Sequence, residues 1–282
     1  MRYILLSMIF RHIWLIPARV SLVMKMDTQN TMLVNRKTFQ IFQDQHKILC
    51  ENKSVLTISP GGFKGYYMMG TCAYIKEHYD LSNVIFSGAS AGAWNTLVMA
   101  FKGPTNELMR MVTHKNVTGA KTILEMEKAV KSAILQTYTR DDFSLEKIFI
   151  GMTNIVGGKP HTVIYYDFEN LEDVLNACIA SSHIPWITGD MSNIYNNMYS
   201  FDGGFSKYPY LNGSVFHITP SMWKNNTIAV VKPPRKLLGK IEEYTTLFSK
   251  DDYDLTQLYQ VGYDDARLNR DILAAIFSEK SR

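Results

Sequence analysis

At residues 83–94 the chain reads Asn83-Val84-Ile85-Phe86-Ser87-Gly88-Ala89-Ser90-Ala91-Gly92-Ala93-Trp94. A short apolar run precedes a turn of small residues around one serine, and the start of a helix follows. Gly88 and Gly92 flank Ser90 in the Gly-x-Ser-x-Gly spacing of a nucleophile elbow, where larger residues would collide with the neighbouring backbone. The helix N-terminus offers N–H groups and a positive dipole to negative charge near the serine. The stretch therefore predicts a strand, a nucleophilic serine and a helix, although small-residue turns without chemistry share the pattern.

A second glycine-rich turn, Pro60-Gly61-Gly62-Phe63-Lys64-Gly65, lies one predicted helix earlier in the chain. It follows Val55–Ile58, which has strand composition, and it precedes Tyr66–His78, which is predicted to be helical. Glycines let backbone N–H groups approach an anion closely, so the turn can cradle an oxyanion. Its spacing matches neither the dinucleotide-binding fingerprint nor the phosphate-binding P-loop. A strand–helix–strand crossover would bring this turn and Ser90 to the same edge of a parallel sheet.

A third turn, Asp202-Gly203-Gly204, follows the short predicted strand Met198–Phe201. An isolated Asp-Gly-Gly is most often a hairpin turn. If the strand delivers Asp202 to the sheet edge near Ser90, however, its carboxylate can accept the serine proton, and the glycines permit the close approach. Burial beside apolar residues such as Phe205 would raise the pKa of the aspartate and make it a better base.

Other segments are predicted from their composition and periodicity. Ile148–Thr153 and His161–Tyr166 are predicted to be strands around a glycine turn, and Leu171–Ala180 is predicted to be a helix with an acidic first turn. Ala120–Tyr138 has the pattern of a solvated amphipathic helix, in which we identify no catalytic residue.

The composition of the 282 residues argues against nucleic-acid binding and against a metal site. The formal net charge is +4 with a pI near 8.8, and the chain lacks the dense Lys/Arg runs of a nucleic-acid-binding protein. Apolar residues make up 46% of the chain, which is enough to bury the core of one domain. Cys50, Cys72 and Cys178 are widely separated and lie within or beside apolar segments, which favours buried thiols in a reducing compartment. No acidic cluster typical of a calcium site is present, so we expect no metal.

The chain is predicted to hold one catalytic domain with extensions. Residues 1–25 are apolar and basic, which allows a secretory signal, a transit segment or an interfacial membrane anchor. We interpret residues 26–53 as a polar connector with at most one helix, residues 54–270 as the domain and residues 271–282 as a C-terminal tail. The basic segment 232–240 is a second candidate for contact with a membrane.

Several segments together resemble patatin-like phospholipases and acyl hydrolases. Four of them occur in the family's order and at its approximate spacing, and a further one is similar to the family's closing helix. These segments are Gly61–Gly65, Gly88–Gly92, Ala180–Pro185, Asp202–Gly204 and Gly262–Ala266. The similarity covers roughly residues 54–270. It implies an α/β fold in three layers, with a mostly parallel central sheet between helices and the active site at the carboxyl ends of the strands.

By this resemblance, Ser90 is the nucleophile and Asp202 the base of a catalytic dyad that hydrolyses lipid esters through an acyl-enzyme intermediate. The dyad needs no histidine, metal or cofactor. Pro60 stands where the family commonly has a further glycine, and because proline lacks an N–H group the oxyanion hole must be formed by later residues. The implied oxyanion-hole residues are Gly61, Gly62, Phe63, Lys64 and Gly65, and the implied supporting glycines are Gly88, Gly92, Gly203 and Gly204.

The sequence leaves three alternatives open. His217 follows Asp202 by fifteen residues, so Ser90, Asp202 and His217 could form a triad in the α/β-hydrolase order. The chain could also be a non-catalytic lipid-binding protein that retains the fold. A related reaction, transfer of the acyl group to an alcohol instead of water, depends on how dry the site is, which the sequence does not report.

Overall fold

The structure of the protein, a computed structural model, describes residues 31–37, 41–43, 52–223 and 253–280. The roles predicted for residues 1–25 and for the basic segment 232–240 lie outside these residues. The strands in the described residues are β1 (Met32–Asn35), β2 (Ile41–Gln43), β3 (Ser54–Ile58), β4 (Val84–Ala89), β5 (Ile148–Val156), β6 (Lys159–Tyr166), β7 (Asn193–Tyr195), β8 (Met198–Phe201) and β9 (Ser214–Ile218).

Helices connect these strands, and the strands and helix predicted around Ser90 are confirmed within a few residues at each end. The described helices are α1 (Gly65–His78), α2 (Ala91–Ala100), α3 (Thr105–Val112), α4 (Lys115–Thr118), α5 (Ile123–Thr137), α6 (Leu171–Ser181), α7 (Leu255–Leu268) and α8 (Arg270–Ala274). Short 3₁₀ turns occupy Gly62–Lys64, Arg140–Asp142, Leu145–Lys147 and Gly203–Phe205.

One mixed sheet runs through the described part of the molecule in the order β2-β1-β6-β5-β4-β3-β9. β3 is parallel to both β4 and β9, β4 is parallel to β5, and β1 is parallel to β6. β5 and β6, the two strands predicted around a glycine turn, form an antiparallel pair. β8 pairs with the far part of β5 and also with β7. The fold is therefore mixed α/β with a mostly parallel central sheet flanked by helices, as the sequence predicted.

The central strands are buried on both faces, which explains why they read as nearly continuous apolar runs. Alternate residues of the same strands enter two separate hydrophobic clusters. Leu56 and Phe86 belong to the larger cluster, which also takes residues from α1, α2, α5, α6 and α7. Val55 and Ile85 belong to a smaller cluster on the opposite face. The helices that surround the elbow therefore share one core with the strands that carry it.

Helices α1 and α7 cross in direct backbone contact. A Cβ atom at Gly70 would lie 1.9 Å from the carbonyl oxygen of Tyr259, and one at Gly262 would lie 1.9 Å from that of Tyr67. Side chains cannot approach a backbone oxygen so closely, so both positions require glycine. The contact holds α1 in place, and the N-terminus of α1 carries the glycine-rich turn.

The segment interpreted as a polar connector contributes to the sheet instead. Within residues 26–53, β1 pairs with β6 and β2 pairs with β1. Leu33 and Val34 are fully buried. The interpretation was wrong for this part because the three apolar residues Met32, Leu33 and Val34, set among polar ones, form a strand only when a distant strand is there to pair with them.

The predicted C-terminal tail is also packed onto the domain. Leu273 and Phe277 are buried, and the N–H of Lys280 donates to the carbonyl oxygen of His78 over 3.0 Å. The described residues of 271–282 therefore extend the fold beyond α7. The sequence did not predict this packing, because the apolar residues of the segment are spaced for a contact with the end of α1 and not for a long amphipathic helix.

Candidate active site

Ser90 occupies the sharp turn between β4 and α2. Its backbone has φ 55° and ψ −126°, a conformation that residues other than glycine rarely adopt. A Cβ atom at Gly88 would lie 2.3 Å from the carbonyl oxygen of Gly92, and one at Gly92 would lie 2.0 Å from that of Ile58. The two glycines therefore allow the strained turn, which places Ser90 at the N-terminus of α2 and at the carboxyl ends of the parallel strands.

Ser181, the last residue of α6, braces this turn. The N–H of Ser90 donates to Ser181 Oγ over 2.8 Å, and Ser181 Oγ donates to the carbonyl oxygen of Gly151 over 2.7 Å. Ser181 is fully buried and links the elbow to β5. Ser181 lies in one of the segments that resemble the family, but its role could not be predicted because both of its partners are far from it along the chain.

Asp202 follows β8 and lies beside the elbow. A Cβ atom at Gly203 would lie 2.6 Å from the carbonyl oxygen of Gly151, so the turn after Asp202 packs directly on β5. The N–H of Asp202 donates to the carbonyl oxygen of His183 over 2.7 Å, and Asp202 Oδ1 accepts from the N–H of Gly204 over 2.6 Å. The fold thereby brings the two predicted catalytic side chains to the same edge of the sheet.

Asp202 and Ser90 are almost excluded from water, with 4% of each residue exposed. Burial raises the pKa of Asp202 to about 6, while the neighbouring Ser90 hydroxyl and the Gly204 N–H act in the opposite direction. Oδ2 of Asp202 has no hydrogen-bond partner among the described residues, although the Ser90 hydroxyl is near enough to lower the pKa of the carboxyl group. Catalytic hydrogen bonds often align only when substrate binds. Asp202 is therefore mostly ionised at neutral pH, with one oxygen available to accept a proton.

The glycine-rich turn after β3 folds into a single 3₁₀ turn. The N–H of Lys64 donates to the carbonyl oxygen of Gly61 over 3.1 Å, and the N–H of Gly65 donates to the carbonyl oxygens of Gly62 and Phe63. Lys64 and Gly65 thus use their N–H groups within the turn. The N–H groups of Gly62 and Phe63 have no hydrogen-bond partner among the described residues, and both residues line the cavity that contains the elbow serine. Gly61 lies outside that lining.

An apolar cavity of about 160 Å³ opens beside Ser90. Side chains from α1, α2, α3 and α5 form most of its walls. The apolar residues of the lining include Tyr66, Met69, Leu97, Val98, Leu108, Val130 and Ile134. A cavity with such walls can hold a hydrocarbon chain while the serine faces the group attached to it.

Glu127 on α5 also lines this cavity and is only 8% exposed. It lies beside Ser182 and Trp94, and Trp94 Nε1 donates to Ser182 Oγ over 3.0 Å. The predicted amphipathic helix therefore has a buried inner face, and that face includes the carboxyl group of Glu127. Glu127, Val130 and Ile134 recur at i, i+3 and i+7, so the helical period was the signal that could have placed Glu127 on the buried face.

His217, the candidate third member of a triad, lies on β9. β3 separates β9 from the elbow strand β4. His217 Nδ1 is 2.6 Å from Thr57 Oγ1, and no hydrogen bond among the described residues joins His217 to Asp202 or Ser90. The fold therefore assembles Ser90 and Asp202 without His217.

Among the described residues, no group of three or more His, Cys, Asp or Glu side chains could hold a metal ion, and no helix is long and apolar enough to cross a membrane. Cys72 and Cys178 are buried free thiols.

Two curated mammalian proteins are similar to this chain. The 1-acylglycerol-3-phosphate O-acyltransferase Pnpla3 of Mus musculus is 21% identical over 168 residues, which covers 55% of this chain and 40% of that protein. The 1-acylglycerol-3-phosphate O-acyltransferase PNPLA3 of Homo sapiens is 24% identical over 164 residues, which covers 54% of this chain and 34% of that protein. The chain thus spans less than half the length of these relatives.

A solved structure and a family model also match this chain. The crystal structure of VipD from Legionella pneumophila aligns with a TM-score of 0.39 and 11% identity, over 93% of this chain and 74% of VipD. The family model of patatin-like phospholipases matches residues 56–211, a region that includes both Ser90 and Asp202. Because this match covers more than half of the 282 residues, the chain belongs to the patatin-like phospholipase family of lipid acyl hydrolases.

Proposed function

We propose that the protein hydrolyses acyl esters of lipids with Ser90 as the nucleophile and Asp202 as the general base. The observation that carries this proposal is the position of Ser90. It stands on a strained elbow, beside a buried carboxylate, in the lining of an apolar cavity. Each of these three features serves the reaction: the elbow presents the hydroxyl, the carboxylate takes its proton and the cavity holds the acyl chain.

In the acylation step, Asp202 Oδ2 accepts the proton of Ser90 while Oγ attacks the ester carbonyl carbon. The bond between that carbon and the alcohol oxygen then breaks, and Asp202 returns the proton to the departing alcohol. Water attacks the acyl-enzyme in the same manner, and the fatty acid leaves with Ser90 restored. Aspartate is a weak base, and burial, which raises its pKa to about 6, reduces the mismatch with the serine hydroxyl.

Backbone N–H groups would stabilise the oxyanion that forms in each step. The N–H groups of Gly62 and Phe63 support this assignment because they line the cavity and are unused within the described residues. One such donor contributes about 3 to 4 kcal/mol of transition-state stabilisation. The N-terminus of α2, directly after Ser90, adds its positive dipole to the same charge.

The names of the mammalian relatives favour a second candidate reaction, acyl transfer to a glycerolipid hydroxyl. The acyl-enzyme is common to both reactions, and they differ only in whether water or an alcohol attacks it. Supplying a labelled acyl donor together with a lysophospholipid acceptor distinguishes them, because hydrolysis yields labelled fatty acid and transfer yields a labelled diacyl lipid.

The proposal is tested by measuring fatty acid release from phospholipid vesicles and from p-nitrophenyl esters. We expect Ser90→Ala and Asp202→Asn each to lower kcat/KM by at least about 100-fold, the contribution typical of a nucleophile or a general base. His217→Ala serves as the matched control and should retain activity, because Thr57 rather than Asp202 contacts its ring. An inactive parent protein, or full activity in Ser90→Ala, would refute the proposal.

We also infer that the protein contacts a membrane surface, where its lipid substrates reside. Residues 1–25 and 232–240 support this because they combine apolar and basic side chains. Co-sedimentation with anionic vesicles should decrease when residues 1–25 are deleted and when salt is raised. Unchanged sedimentation of the deletion variant would remove that segment as the anchor. The two buried free thiols, Cys72 and Cys178, support a reducing compartment.

A further inference from the structure

Glu127 is a buried carboxyl group that the proposed mechanism does not use. It lines the apolar cavity that also contains Ser90, and it is only 8% exposed. The Ser182 hydroxyl and the Trp94 indole lie next to it. Trp94 is one helical turn after Ser90 on α2, and Ser182 follows the bracing residue Ser181. Glu127 therefore stands near the reacting end of the cavity, where an acyl chain leaving Ser90 would pass.

The titratable groups that face Glu127 do not favour its ionised form. The negative charge of Asp202 opposes a second negative charge nearby. On α6, Cys178 is a buried free thiol whose pKa is raised well above its ordinary value by burial and by Glu127. Tyr66 on α1 lines the same cavity, and burial raises its pKa well above the ordinary value of tyrosine. Both of these groups are therefore neutral.

Within the described part of the chain, no cation stands beside the Glu127 carboxyl group to favour its ionised form. Lys131, one turn further along α5, directs its ammonium group to Glu172 over 2.7 Å and to Asn176 over 2.8 Å. The cavity lining formed by the described residues contains no lysine, arginine or histidine. Burial raises the pKa of Glu127 to about 8, Asp202 adds to this effect, and the contacts with Ser182 and Trp94 oppose it. The carboxyl group is thus mostly neutral at pH 7.

We propose that Glu127 is a specificity-determining residue of the acyl cavity, whose neutral carboxyl group admits an apolar chain and whose ionised form excludes one. This inference rests on the proposed function. A bound chain displaces the water that would solvate a carboxylate, and no described cation replaces that water. Chain binding and ionisation of Glu127 therefore oppose each other. By linkage, a bound chain holds the proton on Glu127 more tightly than the empty cavity does.

KM should therefore depend on pH, but only for an ester with a long acyl chain. Below about pH 8 the free enzyme already carries the proton on Glu127, so the KM of a long-chain ester is constant. At higher pH the free enzyme must take up a proton before the chain binds, and KM rises by up to about tenfold per pH unit. An acetyl group is too short to fill the cavity, so the KM of an acetyl ester stays constant.

The experiment measures KM and kcat for p-nitrophenyl octanoate and p-nitrophenyl acetate at pH values from about 6 to 9.5. It compares the parent protein with Glu127→Gln, which keeps the shape of the side chain and cannot ionise. Glu169→Gln is the matched control, because it makes the same substitution at an exposed position outside the cavity. Glu127→Leu is the second variant, which keeps the test possible if thermal unfolding shows that the glutamine variant folds poorly.

We expect the KM of the octanoate to rise with pH in the parent and in Glu169→Gln, and to stay flat in both Glu127 variants. The KM of the acetate should stay flat in all four proteins. A parent that hydrolyses both esters with a pH-independent KM, or a Glu127→Gln variant with the parental rise, overturns this inference and leaves the proposed function intact. A parent that hydrolyses neither ester overturns both.

Discussion

The buried carboxylate of Asp202 sets the pH below which activity should fail. Its pKa is raised to about 6 by burial, and only its ionised form can accept the proton of Ser90. For a short acyl ester, which avoids the influence of Glu127, kcat/KM is expected to rise about tenfold per pH unit up to about pH 6 and to level off above it. A pH–rate profile with its midpoint near pH 4, as for an exposed aspartate, would contradict this assignment.

The same burial makes ionised Asp202 unfavourable for stability. Its pKa is raised from 3.8 in the unfolded chain to about 6 in the folded protein, so folding favours the protonated form. This contribution to stability is fully present below about pH 4 and is lost as pH rises through about 6. Asp202→Asn cannot ionise, so it should increase the free energy of unfolding by up to about 3 kcal/mol at pH 8, with no gain near pH 3.5. Denaturant titrations at the two pH values measure this, and an equal change at both would exclude the carboxylate as the cause.

Among the helices, the close contact of α1 with α7 fixes the position of α1 and thus of the glycine-rich turn at its N-terminus. Gly70→Ala and Gly262→Ala each place a methyl group against backbone of the other helix, at 1.9 Å in the unrelaxed structure. Each is expected to lower the free energy of unfolding by about 1 to 3 kcal/mol or more, because helices must separate to accept the methyl group. Thermal unfolding provides the measurement. Thr256→Ala, at an exposed position of α7, is the control and should change stability little.

In helix α5, the N-terminal cap follows from local sequence, whereas the surroundings of the inner face do not. Its capping box, in which Thr122 Oγ1 accepts from the Glu125 N–H over 3.1 Å and the Glu125 carboxylate accepts from the Thr122 N–H over 3.3 Å, could be read from local sequence. Its inner face could not be assigned so easily. A charged residue next to the apolar face of a helix can point to solvent or into a cavity, and the neighbouring helices decide which. Helix α5 lies across the cavity from α2 and Ser90, so Glu127 lines that cavity.

For the molecule as a whole, the last described residues complete the core rather than trail from it. Phe277 is 5% exposed and packs edge-on against Phe216, with ring centroids 5.7 Å apart. Phe277→Ala is expected to lower the free energy of unfolding by about 3 to 5 kcal/mol through lost apolar burial. Its neighbour Ile276 is 37% exposed, so Ile276→Ala should be considerably milder. Equal melting temperatures for the two variants would show that Phe277 does not belong to the core.

Local sequence was sufficient for much of this protein. The Gly-x-Ser-x-Gly turn, the glycine-rich turn and their flanking strands could be predicted because apolar runs and glycine spacing act over a few neighbouring residues. The rules of chain connection then placed both turns at one sheet edge, and the parallel pairing of β3 with β4 confirms this. The α/β fold and the family could be inferred from these patterns, since the motifs keep their order along the chain.

Long-range packing settled the rest. Tertiary packing pairs β1 with β6 and places β3 between the strand of His217 and the elbow strand. It also places Glu127 in the lining of the cavity. It also left the N–H groups of Gly62 and Phe63, rather than those of Lys64 and Gly65, unused beside Ser90. None of these outcomes follows from neighbours along the chain. Each depends on residues far apart in sequence that meet only when the sheet and its helices have assembled, and burial then determines the pKa values on which the proposed chemistry relies.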